Sequence, residues 1–361
     1  MSSILARRKP LLSSAGATAA AAIATSPHPI SEVRAFQAGA AGSENSYVVL
    51  QVRTESGLTG YGECNSVSSA DLKATNAAVA GRAASSYRVL DGLVPACVRG
   101  GLNIALLDIL GKATMAPIYR VLGGPTRYKA RAITRLPGAS DDELRSGLQE
   151  QLAAGFRAFL IPIPVPTARN QGGEFIRLAT SRLRAMRAAA PNADFAFEAH
   201  SELTPGDAAS LAAAIESMHP LWLDEPCPIT NLETIHKIAD KTVVPLGFGR
   251  AIADPGTFQD LLREGLIDLL RPDLLSYGIT GIRSLSAMAE TYYIDLAPWH
   301  KGGPIGDAAA LHAAASIPNF FIAQTNSPAG PALRDGFFEL PKGPGLGIDI
   351  DERSFEGNRI L

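Results

Sequence analysis

The sequence predicts an α/β protein built around a closed barrel of parallel strands, with a smaller α+β domain in front of it. From Tyr128 onward, eight short apolar runs alternate with seven segments of helical character. Several of these runs end in a carboxylate or a histidine, as strands do when they deliver reactive side chains to one end of a barrel. The 361 residues leave room for a barrel of roughly 200–250 residues and a second domain.

The predicted barrel elements follow each other regularly. The predicted strands are Lys129–Leu136, Ala158–Pro162, Phe195–Ala199, Leu221–Asp224, Val244–Phe248, Leu269–Pro272, Asp295–Pro298 and Phe320–Gln324. The predicted helices are Asp141–Ala153, Gly173–Ala189, Pro205–Ser217, Leu232–Asp240, Pro255–Glu264, Thr280–Thr291 and Ile305–Ser316. Capping residues support several helix starts, such as Thr204 before Pro205 and Asp254 before Pro255. This order gives a (β/α)7β TIM-like barrel over residues 126–325.

An α+β capping domain is predicted over residues 31–125. The β-branched run Tyr47–Val52 indicates a strand, and Ser56-Gly57 indicates the turn into the next strand. Alanine-rich helices follow and end with Ile104–Leu122, before the stop signal Gly123-Gly124-Pro125. The tail over residues 326–361 is rich in glycine and proline, and we expect it to return to this domain and complete it.

Composition limits the class of partner. Hydrophobic residues make up 46% of the chain, which is enough for a large buried core. The net charge is −2 and no block of like charge stands out, so neither nucleic acid nor a membrane surface is expected as a partner. The cysteines Cys64, Cys97 and Cys227 are scattered, and predict neither a disulfide framework nor a metal cluster.

Residues 1–30 differ from the rest of the chain. Arg7 and Arg8 precede a Lys-Pro-Leu-Leu stretch and an alanine-rich run, which resembles a twin-arginine export signal with cleavage near Ala24. Pro10 stands where such signals usually have phenylalanine. The pattern predicts export to a bacterial periplasm. A leader without an export function, which would leave the protein in the cytoplasm, is the alternative.

Several strings between Val33 and Asp351 carry a family resemblance: LTGYGEC, ALLDILGKATMAPIYRVLGG, WLDEP, RPDLLSYGITG and PGLGIDID. Together they resemble the enolase superfamily, on its mandelate racemase/muconate lactonizing enzyme side, and are most similar to acid-sugar (galactonate-type) dehydratases. The resemblance implies a capping domain over a barrel, removal of the proton alpha to a carboxylate, and a divalent metal, usually Mg²⁺, that stabilises the enediolate. It also implies a small sugar-acid substrate and a homo-oligomer.

The resemblance places three metal-binding carboxylates on the third, fourth and fifth barrel strands. Glu198 and Asp224 are the candidates on the third and fourth strands. On the fifth, Arg250 follows Gly249 where the family has Gly-Glu or Gly-Asp. Two carboxylates make a weaker Mg²⁺ site than three, because Mg²⁺ requires an octahedron of oxygen ligands. Waters, the substrate or Glu225 could complete the shell; alternatively, Arg250 itself supplies the positive charge.

Other candidates are implied for catalysis and substrate binding. In the resemblance, Asp273 orients His300, which removes the alpha proton, while His200 protonates the departing hydroxyl. Imidazole suits proton transfer because its ordinary pKa lies near neutrality. Gln324 takes the place of a glutamate that hydrogen-bonds the intermediate, and Trp299 is expected to wall the pocket.

Three functions stay open on these residues. The first is a lyase, a dehydratase that removes the alpha proton of an acid sugar and eliminates the beta hydroxyl. The second is a metal-free or non-catalytic relative that binds a carboxylate or sugar ligand, with Arg250 and Gln324 among its binding groups. The third is an epimerase or racemase that uses the dyad alone, since Leu160-Ile161-Pro162 lacks the lysine of a two-base racemase.

Overall fold

The computed structural model describes residues 28–39, 46–164, 172–326 and 330–360. The predicted export signal over residues 1–30 lies outside these ranges, apart from its last three residues. Within them, the capping domain contains an antiparallel sheet in the order β14-β1-β2-β3. Its strands are β1 (Ile30–Ala38), β2 (Tyr47–Thr54), β3 (Thr59–Cys64) and, from the end of the chain, β14 (Arg359–Ile360). The tail therefore contributes a strand to the sheet of the capping domain.

The remaining elements follow in chain order. The strands are β4 (Lys129–Arg135), β5 (Ala158–Pro162), β6 (Asp194–Glu198), β7 (Leu223–Asp224), β8 (Leu246–Phe248), β9 (Leu269–Leu270), β10 (Asp295–Leu296), β11 (Ala323–Gln324), β12 (Leu333–Arg334) and β13 (Phe337–Glu339). The α-helices are α1 (Ser69–Val79), α2 (Tyr87–Leu90), α3 (Ala96–Ala113), α4 (Ile118–Val121), α5 (Asp141–Ala153), α6 (Gly173–Ala189), α7 (Pro205–Ile215), α8 (Leu232–Ala239), α9 (Pro255–Arg263), α10 (Leu274–Glu290) and α11 (Pro304–Ala314).

Strands β4 to β10 run parallel in sequential order, and β11 returns to pair with β4. In that last pairing Ala323 lies opposite Ala132. Between β10 and β11 the connection is a parallel bridge from Leu296 to Phe320, with two backbone hydrogen bonds of 2.8 Å made by Leu296. The strands thus form a ring with a helix after each of β4 to β10. The predicted (β/α)7β barrel with its N-terminal capping domain is confirmed.

The barrel interior is filled with side chains. Its buried apolar members are Ile133, Ala158, Leu160, Ala196, Trp222, Leu269, Ala297 and Ile322. A filled interior leaves the carboxyl ends of the strands as the place for a ligand. Among the residues that the structure describes, no helix has the length and apolar character required to cross a bilayer.

One barrel helix begins earlier than the sequence predicted. The prediction was Thr280–Thr291, whereas α10 begins at Leu274. The carboxylate of Asp273 caps this helix by accepting the N–H of Leu275 at 3.1 Å. Gly278, with a φ of 65°, then bends the chain between two helical pieces, which interrupts the apolar period on which the prediction depended.

One helix of the capping domain is also divided. The prediction of a single helix over Ile104–Leu122 was wrong, because α3 ends at Ala113 and α4 starts after Pro117. Proline has no N–H to continue a helix, and it favours the first turn of a new one.

Glu63, near the end of β3, joins the capping domain to the barrel. Its fully buried carboxylate accepts the N–H groups of Gly303 at 2.8 Å, Ile305 at 3.2 Å and Gly306 at 3.0 Å. These donors belong to the start of α11, where helical N–H groups have no partner within the helix. Burial raises the pKa of Glu63 to about 8. The capping domain thereby holds the loop that follows His300.

Candidate active site

A cavity of about 280 Å³ lies at the carboxyl ends of the barrel strands. Its lining residues are Arg135, Glu198, His200, Arg250, Trp299, His300, Lys301, Gln324 and Asn326. They follow or end β4, β6, β8, β10 and β11, which are distant in sequence but meet because parallel strands share one end of the barrel. All the predicted site residues line this cavity except Asp224 and Asp273.

Asp224, at the end of β7, is fully buried beside the cavity. Its Oδ1 accepts hydrogen bonds from Trp222 Nε1 and from Arg271 Nε, both at 2.8 Å, and its Oδ2 pairs with Arg250 Nη2. Arg271 is itself fully buried, and its Nη2 donates to Gln324 Oε1 at 3.1 Å. Asp224 and Arg271 therefore form a buried ion pair that supports the floor of the site.

Glu198, at the end of β6, is also buried among cations. Its Oε2 lies 2.6 Å from Arg135 Nε and 3.1 Å from His200 Nε2, and its Oε1 lies 2.7 Å from Arg250 Nη2. Burial by itself would raise the pKa of Glu198. The hydrogen bond with His200 and the charges of Arg250 and Arg135 outweigh that effect and hold the pKa well below its usual range.

Arg250 connects the two carboxylates. A single nitrogen, Nη2, pairs with both Glu198 and Asp224, while the guanidinium carbon lies 5.2 Å from the centre of the Trp299 ring. Burial acts to lower the pKa of Arg250, but the charges of Asp224 and Glu198 raise it above its ordinary value. Within the described part of the chain, its buried Nε–H has no hydrogen-bond partner. One donor of this cation is therefore available to a ligand.

The donor set does not fit Mg²⁺, which requires oxygen ligands around it. The oxygens of Glu198 and Asp224 are bonded to arginine, tryptophan and histidine nitrogens. Glu225 does not complete a shell, because its Oε1 accepts the N–H groups of Gly249 at 2.6 Å and Arg250 at 2.7 Å. In the described ranges, no three His, Cys, Asp or Glu side chains are grouped as metal ligands. Glu198 and Asp224, which the sequence predicted as metal ligands, therefore do not fit Mg²⁺ in this arrangement, because the guanidinium nitrogen of Arg250 lies between them.

His300 is fully buried, yet it borders the cavity. Its Nε2 lies 3.4 Å from Asp307 Oδ1, without the alignment of a hydrogen bond. Its Nδ1 lies 3.4 Å from Asn326 Nδ2, which also donates to the His300 carbonyl oxygen at 2.5 Å. Burial lowers the pKa of His300 to about 4, so the imidazole is neutral at pH 7.

The predicted dyad of Asp273 and His300 is not formed. The Asp273 carboxylate accepts hydrogen bonds from Asn65 Nδ2 and Ser276 Oγ, each at 2.5 Å, in addition to the helix N–H described above. Among the described residues, neither a hydrogen bond nor an ion pair joins Asp273 to His300. The side chain turns back toward its own helix because it is the helix cap. Asp307, from α11, is the carboxylate beside His300.

Comparison with known proteins agrees with this architecture. Residues 143–354 match the family described as enolase C-terminal domain-like. Residues 21–123 match the mandelate racemase/muconate lactonizing enzyme N-terminal domain. The chain belongs to the mandelate racemase/muconate lactonizing enzyme family of the enolase superfamily.

Individual members of this family resemble the chain over most of its length. A D-galactonate dehydratase family member from Streptomyces bingchenggensis is 28% identical, with 85% of this chain and 88% of the relative covered. A D-galactonate dehydratase from Ralstonia pickettii is also 28% identical, with 85% and 89% covered. A mandelate racemase/muconate lactonizing enzyme-like protein from Roseovarius sp. TM1035 has a solved structure that superposes with a TM-score of 0.83, at 28% identity, covering 92% of this chain and 96% of that one.

Some site residues of this family member escaped the sequence analysis. Arg135 ends β4 and Arg271 directly follows β9, close to the positions of the acids, but a metal site predicts carboxylates there and not arginines. Lys301 directly follows His300, and Asn326 lies after β11. Asp307 lies within α11, and helix positions offered no reason to search there. A search for any charged residue near a strand end would have found the arginines and Lys301.

The remaining predicted residues lie where a ligand could contact them. His200 stands on the rim with 41% of its side chain exposed and a φ of 51°. Gln324 is buried, and because its Oε1 accepts from Arg271, its amide N–H₂ is the group left to donate. Trp299 covers one face of the Arg250 guanidinium. The catalytic role of His200 stays a prediction.

Two buried imidazoles predict that the protein loses stability in acid. Burial lowers the pKa of both His300 and His312 from an ordinary 6.5 to about 4. Between these values the unfolded chain binds more protons than the folded one. Stability that is fully present above pH 6.5 is therefore lost as the pH falls toward 4. Each histidine removes about 2 kcal/mol of unfolding free energy between about pH 7 and about pH 4.5.

Urea unfolding at these two pH values checks the prediction with His312→Asn. His312 lies away from the cavity, with its Nδ1 accepting the N–H of Tyr119 at 3.4 Å and its Nε2 bonded to the Leu346 carbonyl at 3.0 Å. The variant is expected to lose about 2 kcal/mol less than the wild type on acidification. All other titrating groups are common to both proteins, so equal losses would contradict the prediction.

Proposed function

We propose that this protein is an acid-sugar dehydratase, which removes the proton alpha to a carboxylate and eliminates the beta hydroxyl through an enediolate. The observation that supports it best is the charge around the cavity. Arg135, Arg250 and Lys301 border it against the single carboxylate of Glu198, with the neutral imidazole of His300 beside them. Such a site suits an anionic ligand. The D-galactonate dehydratase relatives give independent support.

The size and polarity of the cavity suit a small polyhydroxylated acid. Its volume of about 280 Å³ is close to the lower end for small-molecule sites, about 300 Å³. The Nε–H of Arg250 and the ammonium group of Lys301 offer donors to a carboxylate, and Gln324 and Asn326 offer amide donors for hydroxyl oxygens. A substrate with one carboxylate and several hydroxyl groups would use both kinds of donor.

Proton removal falls to His300 in this proposal. A base must be unprotonated to accept a proton, and burial keeps this imidazole neutral. As the C–H bond breaks, negative charge moves onto the carboxylate oxygens of the substrate. The guanidinium of Arg250, which its ion pairs hold in place, would stabilise that charge without having to reorganise, and the ammonium group of Lys301 would add to the effect. No step in this scheme requires a bound metal.

In this proposal His200 is the acid that assists elimination of the beta hydroxyl. The electron pair of the enediolate forms a carbon–carbon double bond as the carbon–oxygen bond to the hydroxyl breaks. His200, held 3.1 Å from the ionised Glu198, would donate its proton so that the hydroxyl leaves as water. The enol product then tautomerises to a 2-keto-3-deoxy acid.

A sugar-acid panel tests the proposal. The purified protein is incubated in D₂O with several sugar acids, with and without Mg²⁺, while NMR follows the alpha proton and a carbonyl reagent detects keto acid. We expect loss of the alpha proton and keto-acid formation with at least one acid. Lys301→Met should weaken turnover, whereas Lys342→Met, at a side chain that is 83% exposed, should not. Exchange and keto acid absent for every acid, in both conditions, would refute the proposal.

A carboxylate-binding protein without turnover is the second candidate. The engagement of Glu198 and Asp224 by arginines favours it, because the residues that resemble metal ligands serve here as ion-pair partners. Calorimetry on the same panel distinguishes the two: binding without deuterium exchange supports the second candidate. Exchange without keto acid would instead indicate epimerisation.

A further inference from the structure

We propose that Arg250 is the resident cation of this site, standing in place of the divalent metal and presenting its free Nε–H to the carboxylate of the ligand. The first part of this proposal, that Arg250 takes the place of the metal, concerns the protein alone. The second part, that its Nε–H binds the carboxylate of the ligand, rests on the proposed function, because it requires a carboxylate ligand.

The position of the guanidinium supports the first part, that Arg250 takes the place of the metal. Arg250 Nη2 lies 2.7 Å from Glu198 Oε1 and also pairs with Asp224 Oδ2, so its two hydrogens can each serve one carboxylate. It follows Gly249 at the end of the fifth barrel strand, where the family resemblance placed a third acid. Replacing an acid by a guanidinium at that position changes the sign of its charge and supplies the cation that the other two acids require.

The surroundings hold this cation in one orientation. Glu225 accepts the backbone N–H groups of Gly249 and Arg250, which fixes the chain at the root of the side chain. Trp299 covers the guanidinium with its ring centre 5.2 Å away, and Arg271 Nε fixes Asp224 by donating to its Oδ1 at 2.8 Å. A charge fixed in this way does not have to reorganise when a ligand arrives.

The Nε–H of Arg250, which has no hydrogen-bond partner among the described residues, supports the second part, that Arg250 binds the carboxylate of the ligand. Buried donors are nearly always hydrogen-bonded, and one left without a partner destabilises the folded state. Arg250 borders the cavity, so a ligand there can reach this side chain. A carboxylate oxygen is the acceptor that matches a guanidinium best in charge and geometry.

Mg²⁺ binding by three proteins tests the first part without any substrate. Calorimetry and thermal unfolding are measured with and without Mg²⁺ for the wild type, Arg250→Glu and the uncharged control Arg250→Met. We expect no Mg²⁺-dependent rise in Tm for the wild type. Arg250→Glu places a third carboxylate beside Glu198 and Asp224, and should bind Mg²⁺ at least about tenfold more tightly than Arg250→Met, with a rise in Tm.

Stoichiometric Mg²⁺ binding by the wild type would overturn the first part, and so would a folded Arg250→Glu protein that gains no Mg²⁺ affinity over Arg250→Met. If Arg250→Glu does not fold, the Mg²⁺ measurements on the wild type alone test this part of the proposal. These readouts do not involve turnover, so they stand even if the proposed dehydratase activity is absent.

Ligand binding by Arg250→Lys tests the second part. Lysine retains the positive charge but has no Nε–H of this kind, so we expect D-galactonate to bind about tenfold more weakly than to the wild type. Equal affinity, or no binding of D-galactonate by the wild type, would overturn the carboxylate assignment while leaving the metal assignment intact.

Discussion

Arg271→Met is expected to lower the free energy of unfolding by about 3–5 kcal/mol, because it removes one member of a fully buried ion pair. Methionine has a similar shape but no donor, so three acceptors each lose a hydrogen bond at once, although Asp224 keeps those from Trp222 and Arg250. The three acceptors are Asp224, the carbonyl oxygen of Ala297 and the amide oxygen of Gln324. Each is buried, and water cannot replace the lost hydrogen bond without opening the barrel mouth.

Urea unfolding measures this loss, with Arg263→Met as the matched control. Arg263 is 58% exposed and pairs with Asp260 of its own helix and with the adjacent Glu264, so its replacement should change stability by less than about 0.5 kcal/mol. Adding Asp224→Asn to Arg271→Met should recover part of the loss, because it removes a buried negative charge that has lost one of its two cations. A loss below about 1 kcal/mol for Arg271→Met would contradict the structural role assigned to this pair.

His300→Asn is expected to reduce deuterium exchange at the alpha carbon by about 10²–10⁴-fold, because asparagine cannot accept the proton. The donors that we propose for the substrate carboxylate are unchanged, so ligand affinity should change much less. Since burial lowers the pKa of His300 to about 4, kcat/KM of the wild type should rise through that pH and stay level above it. If kcat/KM instead rises near pH 6.5, a different group is the base.

His312→Asn is the control for this variant, because it also removes a buried imidazole but one that does not border the cavity. Both variants are assayed well below their unfolding temperatures. Full deuterium exchange in His300→Asn would exclude His300 as the base. A comparable loss of exchange in His312→Asn would show that the effect came from the loss of a buried side chain and not from the loss of the base.

The barrel was predictable because strand and helix periods alternate clearly from Lys129 to Gln324, and strand ends identify the residues that meet at the mouth. The partners of those residues were not predictable. Asp273 directly precedes a helix and was interpreted as a catalytic orienter, although the same position suits a cap. Arg250 was named as a candidate from the sequence and Arg271 was missed, and the ion pairs that both make were not predictable for a related reason. A sequence shows which groups reach the barrel mouth but not which of them neutralise each other.

The contact of Glu63 with the first turn of α11 has a consequence for how the two domains can diverge. The loop that follows the base candidate His300 is anchored by a side chain from the other domain, and Asn65 from that domain likewise holds Asp273. A capping domain transplanted from a distant relative would therefore have to bring both anchors with it, even if its own sheet folded normally. We therefore expect new substrate preferences among related proteins to arise by changes in loops, while the contacts between the two domains stay the same.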